Sequence, residues 1–253
     1  MTRVCIAGIT GWTGRAIAAA VDAVDDLELV SGVSRTAAGE GRVYGTVADA
    51  LAATPADVLV DYTSAEAVKG NVQAALDAGV GVVVGSSGLT AGDYEEIDAR
   101  ARRAGVGVIA AGNFSLLAAL LVRCATQIAR HVDSWEIVDY AGAQKPDVPS
   151  GTSRELAERL ADVRRPVLGH PLEALHGPAE ARGVSVGGSQ IHSVRLPSFV
   201  VSTEIVFGAP GERLVLRHDP NESPEPYVAG TLYAVRAVRD LVGLTRGLDA
   251  LLA

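Results

Sequence analysis

The chain predicts an α/β protein in two parts: a parallel sheet covered by helices on both faces, then an α+β part with an open, largely antiparallel mixed sheet. Three observations carry this. Short valine-rich runs alternate with amphipathic stretches through residues 1–112, whereas late in the chain three β-like runs follow with no helix between them. The early strands are apolar throughout rather than alternately, as strands buried on both faces are. Glycine-rich turns close the first, fourth and fifth of them.

The strand-like segments of the first part are residues 4–9, 27–33, 58–62, 81–84 and 106–110. Between the third and fourth, Val68, Val72, Ala75 and Leu76 recur at i, i+4, i+7 and i+8, the spacing of one helix face. Thr63-Ser64-Ala65-Glu66 reads as a capping box for that helix, Thr63 accepting from the amide three residues on and Glu66 reaching back. The second part opens with a helix over 116–130, a strand over 135–140, a loop over 145–152 and a helix started by Thr152-Ser153-Arg154-Glu155. Residues 184–196, 200–207 and 213–217 supply its further strands, and Pro166, Pro171 and Pro178 mark 164–182 as a surface loop. Residues 226–241 return to helix, with Val228, Leu232, Val235 and Val242 on one side, and are expected to pack back on the first part. The predicted domains are 1–112, completed by a C-terminal helix over 222–253, and 113–221.

Composition narrows the function. The 253 residues are 48% hydrophobic and 21% charged, enough apolar content for one or two cores. A formal charge of −8 argues against general nucleic-acid binding, so anions must be held by local sites. Cys5 sits in an apolar strand and Cys124 in an apolar helix; both are expected to be buried, reduced thiols, with no disulfide and no metal site, which suits a cytoplasm. No secretory signal is read at Met1-Thr2-Arg3, and no apolar run is long enough to span a bilayer.

Two anion cradles stand out. Gly8-Ile9-Thr10-Gly11-Trp12-Thr13-Gly14 follows the first strand and opens a helix. Such a turn lets backbone approach a pyrophosphate and offers helix-start amides to it, which predicts a Rossmann-like dinucleotide domain. The pattern is GxxGxxG rather than GxGxxG, so the βαβ context carries much of the inference. About twenty residues later the second strand ends in Ser34-Arg35, with no acid to bind a ribose 2′-hydroxyl. Arg35 suits a 2′-phosphate, so the cofactor expected is NADPH, with NADH as the alternative. The turns Gly85-Ser86-Ser87-Gly88 and Gly112-Asn113-Phe114-Ser115 lie at strand carboxyl ends, where the nicotinamide side of such a crevice is expected. The second cradle is Lys145-Pro146-Asp147-Val148-Pro149-Ser150-Gly151-Thr152, a lysine ahead of a Ser-Gly-Thr turn at a helix start. A cation facing helix-start amides is a way to hold a carboxylate.

Together with Val60-Asp61-Tyr62-Thr63-Ser64-Ala65-Glu66-Ala67 and Val84-Gly85-Ser86-Ser87-Gly88, these motifs resemble, in order and over nearly the whole chain, the dihydrodipicolinate reductase family. The resemblance implies NADH or NADPH as hydride donor to a cyclic dicarboxylated imine, in the diaminopimelate route to lysine. It also implies a substrate domain whose sheets assemble a homotetramer. By position it puts Gly8, Gly11, Trp12 and Thr13 under the pyrophosphate and Arg35 near the adenosine ribose. Gly85, Ser87, Asn113 and Phe114 fall near the nicotinamide. Lys145, Ser150, Gly151 and Thr152 fall on a substrate carboxylate, with Thr152 also capping its helix and Lys145 as the catalytic residue.

The chain departs from the family in two places. Where the family carries a pair of histidines before the lysine, Asp139-Tyr140-Ala141-Gly142-Ala143-Gln144-Lys145 has Ala141 and Gly142. The arginine usual after the penultimate strand is absent from His218-Asp219-Pro220-Asn221-Glu222-Ser223. His192 and Arg195 share a strand but are expected on opposite faces, and His131, His170, His176 and His218 have no metal-ligand spacing. Two alternatives therefore stand beside the reductase: a paralogue acting on a different imine or imino acid, its pocket enlarged at Ala141 and Gly142, and a non-catalytic dinucleotide-binding sensor.

Overall fold

The computed structural model describes residues 1–36, 39 and 41–252. The chain forms two compact units, Met1–Leu116 with Pro224–Ala253, and Leu117–Ser223.

The first unit alternates β1 (Thr2–Ala7), α1 (Trp12–Asp22), β2 (Leu27–Val33), β3 (Val43–Tyr44), α2 (Val47–Ala53), β4 (Val58–Asp61), α3 (Val68–Asp77), β5 (Gly81–Val84), α4 (Ala91–Ala104) and β6 (Gly107–Ala110). After the second unit come α7 (Glu225–Ala237) and β12 (Gly243–Arg246). All strands pair in parallel in one sheet, ordered β12-β6-β5-β4-β1-β2-β3. The order reverses between β1 and β4, so the loops after these two strands flank a topological switch point, where open α/β sheets bind ligands. The strands owe their place to side chains such as Cys5, Leu59, Val82 and Val108, wholly buried against Val72, Ala75, Ile97 and Ala101 of the helices. α7 packs in this unit through Gly230, where a Cβ would lie 1.9 Å from the Phe114 carbonyl oxygen. Arg236 pairs with Asp26 at 2.7 Å.

The second unit contains α5 (Leu116–Ala129), β7 (Trp135–Ala141), α6 (Gly151–Val163), β8 (Val184–Val186), β9 (Ser189–Arg195), β10 (Val201–Ala209) and β11 (Glu212–His218). Its sheet runs β11-β10-β7-β9-β8, antiparallel except for the β7–β9 pair, which makes it mixed as expected. β7 alternates: Trp135, Ile137, Asp139 and Ala141 are buried, while the residues between them are half-buried. Ile137, Ile205, Phe207, Leu156, Leu160 and Ile191 form the core under this face. Each such side chain contributes about 1.5–3 kcal/mol on burial. Trp135 completes it, its indole N–H donating to Ser189 Oγ at 2.9 Å.

Several sequence expectations are corrected. β3, α2 and β12 were not expected, so the parallel sheet has seven strands rather than five. The run 184–196 is a hairpin, broken at Gly187 and Gly188, both with positive φ. No capping box forms at Thr63: α3 starts at Val68, with Ala67 at its N-cap position, because Thr63 Oγ1 donates to Asp61 at 2.8 Å. Thr152 does not cap α6; Ser150 does, accepting from the Ser153 amide. Segment 164–182 lies at the surface as expected, with two short 3-10 turns, Leu172–Ala174 and Ala179–Arg182. Cys5 is buried, its thiol pushed up to about 11 by desolvation, but Cys124 is exposed.

Candidate active site

The glycine loop after β1 is held by backbone hydrogen bonds to the end of β2 and within itself. Gly8 and Ile9 donate to the Val33 carbonyl at 2.9 and 3.3 Å, and Gly11 donates to the Gly8 carbonyl at 2.8 Å. Gly8 has φ +82, and a Cβ there would lie 2.2 Å from the Tyr62 carbonyl oxygen. A Cβ on Gly14 would lie 2.1 Å from the Gly8 carbonyl oxygen. Helix α1 then begins with Gly11 at its N-cap, no side-chain cap and no acid in its first turn. Amides at such a start have no intrahelical acceptor and favour an anion, so these residues fit a pyrophosphate.

Around that loop the predicted residues fall into two groups. Thr10 Oγ1 lies 2.9 Å from Ser34 Oγ, which lies 3.2 Å from Thr36 Oγ1, so a row of hydroxyls borders exposed Arg35. Trp12 is 53% exposed and makes a T-shaped contact with Tyr227, ring centroids 6.1 Å apart. Gly85 and Phe114 both lean on Tyr62. A Cβ on Gly85 would lie 2.3 Å from the Tyr62 ring, and the Phe114 ring is 6.1 Å from it. Tyr62 Oη is 2.7 Å from Thr231 Oγ1 of α7, and burial pushes its phenol well above the usual range. Asn113 Oδ1 accepts from the Ser115 amide at 2.8 Å, while Ser87 is exposed.

Sequence reasoning missed the carboxylate that organises the Tyr62 end. Asp61 is wholly buried and accepts from Ser86 Oγ at 2.5 Å, Asn71 Nδ2 at 2.7 Å and both the amide and hydroxyl of Thr63. The available signal was an aspartate closing an otherwise apolar strand.

In the second unit, Lys145 and Ser150 lie on the loop that leads into α6, and Gly151 and Thr152 open that helix. Lys145 Nζ pairs with Asp147 at 2.7 Å, with both side chains about a third exposed. Such a pair is worth little in water, so the ammonium is readily yielded to another carboxylate. Ser150 is buried and its hydroxyl points inward, donating to Asp139 at 2.6 Å. The Ser150 hydroxyl is therefore not offered to an anion, which leaves Gly151 and Thr152 of this turn as its candidate contacts. Helix α6 has no acid in its first turn.

Behind the loop lies a second carboxylate that went unassigned. Asp139 accepts from the Ser150 amide at 2.9 Å, Ser153 Oγ at 3.1 Å, Ser193 Oγ at 3.1 Å and Arg195 Nη2 at 2.8 Å. Burial raises its carboxyl, but hydrogen bonds from Ser150 and Arg195 outweigh this and hold it below the usual range. The signal was a charge at an inward position of the alternating strand β7. Arg195 and His192 do face opposite ways, His192 Nε2 meeting Glu136 at 2.6 Å beside Arg182. Ala141 is fully buried, and a side chain at 142 would lie 3.1 Å from the Phe199 carbonyl oxygen. His218 is buried.

Among the described residues there is no cluster of metal-ligating side chains, and no helix is long and apolar enough to cross a membrane.

Family models described as dihydrodipicolinate reductase, N-terminus, and dihydrodipicolinate reductase, C-terminus, match residues 2–114 and 115–251. The chain is 36% identical over 268 residues to the 4-hydroxy-tetrahydrodipicolinate reductase of Synechococcus elongatus, covering 98% of each. It is 37% identical over 254 residues to that of Corynebacterium diphtheriae, covering 98% of this chain and 97% of the relative. Among solved structures it is similar to a dipicolinate-bound dihydrodipicolinate reductase from Paenisporosarcina sp. TG-14, with TM-score 0.81, 29% identity and all of both chains covered. The NAD complex of GenD2 shares the fold at TM-score 0.66 and 16% identity, over 98% of this chain and 89% of that one.

Proposed function

Because the chain belongs to the dihydrodipicolinate reductase family, we propose that it reduces 4-hydroxy-tetrahydrodipicolinate, a cyclic dicarboxylated imine of the diaminopimelate route to lysine, with NADPH or NADH. It is an NAD(P)H-dependent oxidoreductase. The observation that carries the reading is that each unit has a helix with no acid in its first turn, one behind a glycine loop and one beside a lysine.

In the first unit Gly8, Gly11, Trp12 and Thr13 hold the pyrophosphate through backbone amides and the α1 start. Arg35, bordered by Ser34 and Thr10, takes a 2′-phosphate, which favours NADPH. Gly85, Ser87, Asn113 and Phe114 bound the nicotinamide end. When bound, the reduced nicotinamide supplies the hydride. In the second unit Lys145 leaves Asp147 for a substrate carboxylate, which Gly151 and Thr152 also hold while Ser150 fixes the turn. A fixed cation and fixed dipoles there stabilise charge that builds during reduction. In this reading Lys145 also supplies the proton that completes the reaction, the role left open by Ala141 and Gly142. Residues 1–112 with the C-terminal segment 222–253 are then the dinucleotide-binding domain and 113–221 the substrate-binding and oligomerisation domain. Exposed Val184, Leu214 and Val215 on the second sheet support assembly into a homotetramer. A cytoplasmic location suits the reduced thiols.

The test is oxidation of NADPH and of NADH by the purified protein with freshly generated 4-hydroxy-tetrahydrodipicolinate. Turnover with either cofactor is expected. Faster turnover on smaller monocarboxylated imines would favour a paralogue, the reading that Ala141 and Gly142 support. Tight cofactor binding without oxidation on any imine would favour a non-catalytic sensor.

A further inference from the structure

We propose that Asp139 is a positioning residue for the reaction: with Arg195 it holds the 145–152 loop and the start of α6 in the shape that receives a substrate carboxylate. This rests on the reading of Lys145, Gly151 and Thr152 as the carboxylate seat.

A wholly buried carboxylate on the apolar face of β7 is costly unless every lone pair is used. Asp139 meets that demand with the Ser150 amide at 2.9 Å and hydroxyl at 2.6 Å, two further serine hydroxyls, and Arg195 at 2.8 Å. Two of these donors belong to the residue that caps α6. Fixing the Ser150 hydroxyl as donor to Asp139 aims its oxygen at the Ser153 amide, 3.4 Å away. The amides at Gly151 and Thr152 are thereby set at the mouth of the helix.

Arg195 ties down the other side of the loop. The same Nη2 that bonds Asp139 donates to the Asp147 carbonyl at 2.7 Å, two residues from Lys145. One ion pair therefore reaches both shoulders of the seat, at 147 and at 150. The pair also leaves no net charge behind the seat, which an unpaired buried carboxylate would make repulsive to anions. A purely packing role would be met as well by an apolar side chain of similar volume, since buried ion pairs are seldom retained for stability alone.

The test measures dipicolinate affinity and steady-state kinetics of Asp139→Asn and Arg195→Lys at saturating NADPH, with Lys145→Ala beside them. Asp139→Asn keeps the shape of the side chain but sets an amide against donors. Arg195→Lys keeps the charge but loses the planar guanidinium, whose Nη2 bonds both Asp139 and Asp147 while Nη1 donates to the Asp139 carbonyl. Both should raise the dipicolinate Kd and the imine KM tenfold or more, with kcat changed less and NADPH affinity unaltered. A role in stability alone would lower the Tm and leave Kd and KM of the folded protein at wild-type values; that result overturns the proposal. Should Asp139→Asn not fold, Arg195→Lys carries the same test. If Lys145→Ala binds dipicolinate normally, the seat itself is wrong; if only Lys145→Ala is impaired, the seat stands and the positioning role falls.

Discussion

Replacing Gly8 by alanine tests the dinucleotide loop at its most constrained point. The residue has φ +82, and the new Cβ would fall 2.2 Å from the Tyr62 carbonyl oxygen and 2.8 Å from its carbon. Left-handed backbone costs an alanine roughly 1–2 kcal/mol. Carbon and oxygen normally approach to about 3.3 Å, so the loop must retreat by about 1 Å from the end of β4. Overpacking of that kind costs about 1–3 kcal/mol more. The sum, about 2–5 kcal/mol, corresponds to a Tm lower by roughly 4–20 °C for a chain of this size. Gly79→Ala supplies the control: its φ is +68, but nothing lies within 4 Å of the added Cβ, so only the backbone cost remains. The assay is calorimetric unfolding of both variants together with fluorescence titration of NADPH at a temperature where both are folded. Gly8→Ala should bind NADPH at least tenfold more weakly, and Gly79→Ala as tightly as wild type. Unaltered NADPH binding by Gly8→Ala would refute the loop as the pyrophosphate cradle.

Three further outcomes are expected. Arg35→Ala should weaken NADPH about tenfold or more while leaving NADH unchanged, as steady-state KM values would show; equal losses for both cofactors contradict the 2′-phosphate assignment. The carboxyl of Asp139 is depressed in the folded state, so its stabilisation is complete above the ordinary value of about 3.9 and is lost as pH falls through the depressed one. In urea titrations the advantage of wild type over Asp139→Asn should therefore be constant near neutrality and shrink below about pH 4; an advantage that grows on acidification contradicts the sign. Finally, a thiol reagent should label Cys124 in the native protein and Cys5 only after unfolding, because Cys5 is buried with its thiol raised to about 11. Labelling of Cys5 under native conditions contradicts its burial.

The sequence made the regular part of this fold legible wherever apolar runs were bounded by turn residues. Leu27–Val33 and Gly81–Val84 were read to the residue for that reason. Val43–Tyr44 and Gly243–Arg246 were not, because two residues, or a run as mixed as Gly-Leu-Thr-Arg, become strands only by pairing with β2 and β6. Thr63 and Thr152 looked like caps by local pattern, but Asp61 and Ser150 reach the relevant groups first. Helix α5 is apolar nearly all round, so periodicity could not tell that Leu117, Leu120 and Cys124 are exposed. At the candidate site the loop motifs were visible because their chemistry is contiguous in sequence. The network around Asp139 was not, since Ser193 and Arg195 are 54 and 56 residues away along the chain.

If Lys145 and the α6 start grip a carboxylate, titration of dipicolinate into NADPH-saturated protein reads that grip. A charge-assisted hydrogen bond contributes about 1.5–3 kcal/mol, so Lys145→Ala should raise the dipicolinate Kd about ten- to a hundredfold with NADPH affinity unchanged. Equal dipicolinate affinity in the two proteins would contradict the account.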